Sequence, residues 1–150
     1  MECSRCKHDP TFHNFEFLSR TPTGETIYYT CPGKGKQREM TEDSIFDYVA
    51  HMDEASSSGW YWIIDCNGLE SFHMPTISVL QKFLQLIQDR YKYVLKNVFI
   101  ININWKMQIM LQMAKPFMKD QAKERLTIVK NKLQFFASGF DSHTVAKLNM

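Results

Sequence analysis

The spacing of apolar residues along the chain predicts three helices. Residues 41–54 and 75–91 place apolar side chains at positions i, i+3, i+4 and i+7, which share one face of a helix. Residues 105–118 form a third, more apolar helix directly after Asn104, a residue type favoured at helix N-caps. Thr41 is predicted to cap the first helix in the same way.

Short apolar runs between these helices predict the strands of a sheet. Runs that are apolar throughout, or rich in β-branched and aromatic residues, are typical of strands. The predicted strands are 15–18, 26–31, 60–65, 98–103 and 126–129. From residue 60 onward strands and helices alternate, which favours right-handed crossovers between parallel strands. The predicted fold class is α/β, with a mainly parallel sheet and helices packed on it.

The length of 150 residues predicts a single domain, 1–150, with one core. The tail after Lys132 is less regular and is predicted to hold one more short helix, capped by Asp141 or Ser142. Hydrophobic residues make up 44% of the chain, which is too apolar for a disordered polypeptide. No stretch reaches the roughly 18 consecutive apolar residues of a membrane-spanning helix.

The N-terminus and the cysteines predict a cytoplasmic environment. The first nine residues, MECSRCKHD, lack the apolar segment of a secretory signal. The four cysteines do not have the spacing of a disulfide framework. A reducing compartment is therefore expected.

Charge is distributed unevenly between the two halves of the chain. Residues 1–75 contain 6 Lys and Arg against 12 Asp and Glu, whereas residues 76–150 contain 12 against 4. If the basic half forms one face, it would attract anionic lipid headgroups or nucleic acid; otherwise the halves neutralise each other within one domain. Lys34, Lys36 and Arg38 lack the interleaved aromatic residues of a nucleic-acid surface, so no nucleic-acid partner is predicted.

The Cys3-x2-Cys6 pair raises the question of a zinc site. Candidates for the remaining ligands follow later in the chain, at His8, His13 and Cys31. Structural zinc sites usually combine two such paired motifs, and a second pair is not evident in the sequence. The favoured interpretation is an exposed pair of cysteines without metal, and the zinc site on Cys3 and Cys6 is the alternative.

The sequence offers no constellation of catalytic residues, so a protein that is not an enzyme and has no cofactor is expected. Phosphate-binding glycine loops and the GxSxG nucleophile motif do not occur. Asp65 follows a strand at the edge where α/β sheets bind ligands, but one carboxylate is not an acid–base pair. Its predicted role is a hydrogen bond that anchors the loop.

Three segments of the chain, which occur in the same order as in the family, resemble the CRAL-TRIO family of lipid-binding domains. WYWIIDCNGL has the apolar strand that ends in Asp65, with Gly68 three residues later. DRYKYVLKNVFIININW has a helix end, a strand with Asn102, and then Trp105. MAKPFMKDQAKERLTIV has Lys-Pro-Phe, a spacer, Arg125 and a strand. Residues 60–130 match best, whereas 1–59 match only loosely.

The resemblance implies that the helix after the second of these strands is a movable gate over a lipid pocket. The residues that would line the pocket or form the gate are Trp105, Ile109, Met110, Met113 and Phe117, and Arg125 would face a headgroup. The flexible thioether side chains of methionine suit a wall that must fit different ligands. The implied partners are a hydrophobic small molecule or a phospholipid, with peripheral contact to an anionic membrane. An ordinary core helix is the alternative.

A departure from the family pattern supports a second hypothesis. The family's Tyr-Pro-Glu-Arg is replaced here by Tyr91-Lys92-Tyr93-Val94, so the acidic residue used for inositol headgroups is missing. The BCH subfamily, whose helix ends in a similar Tyr-Lys run, consists of adaptors for small GTPases that also self-associate. The alternative function is therefore a BCH-like adaptor with little or no lipid cavity.

Overall fold

A five-stranded sheet forms the centre of the fold in the computed structural model, which describes residues 3–37 and 40–150. Its strands are β1 (Phe15–Arg20), β2 (Thr26–Thr30), β3 (Trp60–Asp65), β4 (Leu95–Ile101) and β5 (Leu126–Ile128). They lie in sequential order, β1-β2-β3-β4-β5. The hairpin of β1 and β2 is antiparallel, and β2 to β5 are all parallel. The predicted fold class, α/β with a mainly parallel sheet, is confirmed.

Seven α-helices accompany the sheet in the described residues. They are α1 (Ser4–His8), α2 (Glu42–Ala55), α3 (Ile77–Arg90), α4 (Trp105–Ala114), α5 (Asp120–Glu124), α6 (Leu133–Ala137) and α7 (Ser142–Ala146). No helix among them is long and apolar enough to cross a membrane.

Side-chain caps fix where the three long helices begin. Thr41 accepts a hydrogen bond from the Ser44 amide at the start of α2, as predicted. Asn104 caps α4 by accepting from the Met107 amide at 3.0 Å, also as predicted. The N-cap of α3 is Thr76, so this helix begins slightly later than the apolar pattern indicated.

The third helix is shorter than predicted because of a proline. The apolar pattern continues to residue 118, but α4 ends at Ala114, and a 3₁₀ turn follows at Lys115–Phe117. Pro116 has no amide hydrogen to donate to the carbonyl of Gln112, four residues earlier, so the hydrogen-bond pattern of the α-helix cannot continue through it. The 3₁₀ turn therefore separates α4 from the segment leading to β5.

The sequential strand order decides which face of the sheet each helix covers. Each crossover moves in the same direction along the sheet, so right-handed connections place α2, α3 and α4 on one face. Strand β4 shows the division, because side chains alternate between faces along a strand. Phe99 and Ile101 belong to the core on one side, and Val98 and Ile100 pack on the helical side.

The opposite face is covered by the tail of the chain. Phe135, Phe140 and Val145 are buried against Phe99 in a cluster beneath the sheet. The structure has two short helices in the tail, α6 and α7, where the sequence predicted one. Asp141, one of the two predicted caps, accepts a hydrogen bond from the Thr144 amide at 2.8 Å.

A hydrogen-bonded ion pair joins α2 to the end of α3. Asp53 accepts hydrogen bonds from Arg90 Nε at 2.9 Å and Nη2 at 2.7 Å, and from the Tyr91 hydroxyl at 2.7 Å. The Arg90 hydrogen bonds are the main reason that the pKa of Asp53 lies below its usual value. Burial, followed by the bond to Asp53, raises the pKa of Tyr91, which therefore stays a neutral donor.

Replacing Phe99 with alanine tests the importance of the covered lower face. Phe99 is fully buried (0% exposed), whereas Phe46 on α2 is 69% exposed. We expect Phe99→Ala to lower the free energy of unfolding by about 3–5 kcal/mol, because it leaves a cavity in a packed core. The control Phe46→Ala should change it by no more than about 0.5 kcal/mol. Urea unfolding of the two variants measures both values, and equal effects would contradict this assignment of the core.

Candidate functional site

A cavity of about 350 Å³ lies between the sheet and the helices α3 and α4. The floor is formed by side chains on the helical face of the two central strands: Trp62 and Ile64 from β3, and Val98 and Ile100 from β4. The one polar group of these four, the Trp62 indole N–H, donates to Thr30 Oγ1 at 2.8 Å. Because this N–H group already has its hydrogen-bond acceptor within the protein, the floor presents an apolar surface to the cavity.

The roof of the cavity is formed by the apolar stripes of α3 and α4. Helix α3 contributes Leu80, Phe83, Leu84 and Ile87. Helix α4 contributes Met107, Met110, Leu111 and Ala114. These positions follow the i, i+3, i+4, i+7 pattern on each helix, so the same stripe that attaches the helix to the sheet also surrounds the cavity.

The predicted site residues occupy different positions relative to this cavity. Met110 and Arg125 line it. Trp105 and Ile109 are exposed to solvent, at 63% and 47%. Met113 and Phe117 are half-buried and lie outside its lining. A ligand-binding role for the six residues stays a prediction, and the structure brings only Met110 and Arg125 together at the cavity.

Three lining residues of α4, Met107, Leu111 and Ala114, were not among the sequence candidates. A signal for them exists in the sequence, since 107, 110, 111 and 114 are spaced as one helical face that begins at the Asn104 cap. Choosing this face over that of Trp105 and Ile109 requires knowing where the sheet lies.

A glutamine holds the end of the roof to α3. Gln88 Nε2 donates to the Phe117 carbonyl at 2.9 Å and to the Leu84 carbonyl at 3.1 Å. Gln88 Oε1 accepts from the Lys119 amide at 2.8 Å. These bonds attach the segment after α4 to α3 at the rim of the cavity. We call this contact of Gln88 with Phe117 and Lys119 the latch.

The rim also carries a guanidinium group. Arg125 is half-buried and donates from Nη1 to the Lys92 carbonyl. A guanidinium has five N–H donors in a planar fork, so one bond to the protein leaves others for an anionic or carbonyl acceptor. Arg125 is therefore suited to contact a polar group at the mouth of an otherwise apolar cavity.

The far end of the cavity is bordered by polar groups that remain uncharged. His13, Gln37 and Tyr48 lie there. Burial raises the pKa of Tyr48 to about 12, and burial lowers the pKa of His13 below its usual value. Both rings are consequently neutral near pH 7, so this part of the cavity is suited to an uncharged part of a ligand.

Asp65 anchors a loop at the carboxyl edge of the sheet, as predicted. This buried carboxylate accepts hydrogen bonds from the Tyr29 hydroxyl at 2.5 Å, the Asn67 amide at 3.0 Å and Asn102 Nδ2 at 3.0 Å. Asn102 has a φ of 52°, a left-handed conformation that asparagine tolerates better than most residues and that ends β4. Burial, and then the bond to Asp65, raise the pKa of Tyr29.

The two N-terminal cysteines, Cys3 and Cys6, lie near His13 and His51. Cys3 Sγ and Cys6 Sγ are each 3.4 Å from His13 Nδ1. His8, another candidate ligand from the sequence, is exposed. The thiol of Cys31 points to the Asn67 carbonyl, 3.4 Å away. Of the three additional candidates, the structure brings only His13 to the cysteine pair.

Comparison with solved structures supports the fold. The chain superposes on the protein described as "Crystal structure of Sfh5" with a TM-score of 0.61 and 10% sequence identity. The match covers 92% of this chain and 53% of the other, so the chain spans about half the length of that protein. At this identity the similarity concerns the fold alone.

Comparison with family sequence models gives the assignment. The CRAL/TRIO domain matches residues 15–144, which is most of the chain and extends well before the segments that carried the resemblance. At the level of the family, this match supports binding or transfer of a hydrophobic ligand, typically without enzymatic activity. The strand order, the cavity beneath α4 and the sequence match lead to one conclusion: the chain belongs to the CRAL/TRIO domain family.

Proposed function

We propose that the protein binds a phospholipid, with its acyl chain in the cavity between the sheet and the helices α3 and α4. The observation that carries the proposal is the cavity itself, about 350 Å³ in volume and lined mainly by apolar side chains. Pockets of roughly 300–1,000 Å³ with such walls are typical of small-molecule sites. Transfer of acyl-chain methylenes from water into this space contributes about 0.8 kcal/mol for each CH₂ group buried.

In this proposal α4 and the 3₁₀ turn at Lys115–Phe117 act as the gate. The cavity volume is at the low end for ligand sites, so a two-chain lipid enters only when the roof moves outward. Met107 and Met110 give the roof side chains that adapt to different ligand shapes. The latch at Gln88 is a small number of hydrogen bonds, which a μs–ms gate motion can break and re-form.

Arg125 is proposed to contact the ligand's polar headgroup at the rim. Its guanidinium lies at the cavity and can donate to a phosphate through two parallel N–H bonds. Tyr93, at the position where inositol-binding relatives would carry an acidic residue, is 79% exposed. The proposed specificity is accordingly for the phosphate and the acyl chain and not for an inositol ring.

The outer surface of the gate is suited to peripheral contact with an anionic membrane, and we propose a cytoplasmic protein that visits such surfaces. Trp105 and Ile109 are exposed and lie one turn apart on α4. Lys115 and Lys123 are exposed on the segments that follow α4. Each lysine near an anionic surface contributes about 1 kcal/mol to membrane attraction.

The cavity also bears on the adaptor hypothesis. A BCH-like adaptor for small GTPases or for self-association was expected to have little or no lipid cavity, and the space beneath α4 favours ligand binding instead. Recovery of a small GTPase with a protein that takes up no lipid would reverse this preference.

Removing the latch tests the gate. We expect Gln88→Leu to increase amide hydrogen exchange at Lys119 roughly fivefold, because a hydrogen bond worth about 1 kcal/mol is lost. Gln81→Leu is the control, since Gln81 is exposed on the same helix. The exchange rates are measured by NMR, and an unchanged rate at Lys119 in Gln88→Leu would contradict the proposed latch.

Filling the cavity tests the binding site. Met110→Trp places a larger side chain in the space, and we expect lipid uptake from phospholipid vesicles to fall at least about tenfold, because the acyl chain and the indole compete for one volume. Uptake is measured by native mass spectrometry of the re-isolated protein.

Ile77→Trp provides the matched control for this experiment. It introduces the same indole at a 54% exposed position on α3, outside the cavity lining and the gate, and uptake should stay within about twofold of wild type. Thermal unfolding of both variants verifies that they are folded. Wild-type uptake by a folded Met110→Trp variant would show that the cavity is not the lipid site.

A further inference from the structure

Four metal-ligating side chains meet where the N-terminal segment touches α2. The donor atoms of Cys3, Cys6, His13 and His51 all lie within 4.8 Å of one another. Individual distances are shorter: Cys6 Sγ is 3.4 Å from His51 Nε2, and His13 Nδ1 is 3.2 Å from the same nitrogen. Cys3 and His13 are buried, and Cys6 and His51 are half-buried.

These distances match the edges of a tetrahedral zinc site. Zinc binds sulfur at about 2.3 Å and nitrogen at about 2.0 Å, so a regular tetrahedron has S–N edges of about 3.5 Å and an N–N edge of about 3.3 Å. The structure has S–N distances of 3.4 Å and an N–N distance of 3.2 Å. Four of the six distances among the donor atoms therefore match these edges, and the remaining two, which both involve Cys3 Sγ, are at most 4.8 Å.

Hydrogen bonding alone does not account for this arrangement. His13 Nε2 is 2.5 Å from Gln37 Oε1, an acceptor, so Nε2 carries the proton and Nδ1 keeps a lone pair. That single lone pair faces two sulfur atoms and the Nε2 atom of His51. One lone pair accepts one good hydrogen bond, whereas a single metal cation can bind the donor atoms of all four side chains.

The surroundings support the ligands in the way that metal sites require. A ligating histidine usually donates its other ring N–H to an acceptor, which fixes its tautomer and orientation, and Gln37 accepts from His13 in this way. The ring of Phe15 stacks on His51 with centroids 5.1 Å apart.

We propose that Cys3, Cys6, His13 and His51 bind one structural zinc ion. Two thiolates and two imidazoles suit zinc, and four protein ligands complete its tetrahedral coordination, which is typical of structural and not catalytic sites. A coordinating thiol is deprotonated by the bound cation, so Cys3 and Cys6 would bind as thiolates.

The zinc ion would join the segment before β1 to helix α2. His13 also borders the far end of the apolar cavity, so the same bond holds one end of the cavity wall in place. The inference does not depend on the lipid proposal, because all four ligands stand apart from the roof and the latch.

Chemical protection of the cysteines tests the site without any substitution. Untagged protein purified without chelator should contain about one zinc ion per chain by inductively coupled plasma mass spectrometry. Alkylation followed by peptide mass spectrometry should find Cys3 and Cys6 protected until a chelator is added. Cys31 and Cys66 are buried elsewhere and serve as internal controls that zinc removal leaves unchanged.

Cobalt substitution and three variants, one of them a control, complete the test. Replacing zinc with Co²⁺ should give thiolate-to-cobalt charge-transfer absorption and the intense visible bands of tetrahedral coordination. Zinc content should fall at least about tenfold in Cys3→Ser and in His51→Gln, since each removes one of four ligands. It should not change in His8→Gln, a histidine variant at an exposed position beside the motif.

Three results would overturn the proposal. They are zinc-free wild-type protein that takes up no zinc on titration, Cys3 and Cys6 that react equally with and without chelator, and a cobalt spectrum without thiolate charge transfer. All three use the wild-type chain, so failure of a variant to fold leaves the test intact.

Discussion

The sequential strand order is the constraint on which the rest of the structure depends. Because β2 to β5 follow one another across the sheet, the crossover helices α2, α3 and α4 all lie on one face. The opposite face would be left open, and the tail with Phe135 and Phe140 covers it. On the helical face, α4 ends after ten residues and its roof does not fill the space above β3 and β4. The cavity is a consequence of this geometry.

Local pattern was enough to predict most elements of the fold. The run 60–65 predicted β3 with its observed bounds, and the residues chosen as caps for α2 and α4 perform that role. The errors have local causes that compete with hydrophobic periodicity: Pro116 ends α4 early, and the left-handed backbone of Asn102 ends β4. The tail was harder to predict because its helices have only five residues each, too few for periodicity to show.

The site was less predictable because it depends on which helix face meets the sheet. Periodicity places Met107, Leu111 and Ala114 on one face of α4 and Trp105 and Ile109 on another. The resemblance of this helix to the family's gate does not show which of the two faces meets the sheet. His51 was missed for a related reason. It lies 38 residues after His13, a separation that matches no local metal motif, and only the packing of α2 against the N-terminal segment brings the two rings together.

We propose that an acyl chain occupies the space beneath α4, and contact between ligand and cavity is the most direct test of this occupancy. The protein would be labelled with ¹³C at its methionine methyl groups and loaded from mixed phospholipid vesicles. We predict NMR cross-relaxation from acyl-chain protons to the methyls of Met107 and Met110, and none to Met150, which is 39% exposed. Bound lipid that contacts only exposed groups such as Trp105 and Ile109, with no transfer to Met107 or Met110, would contradict it.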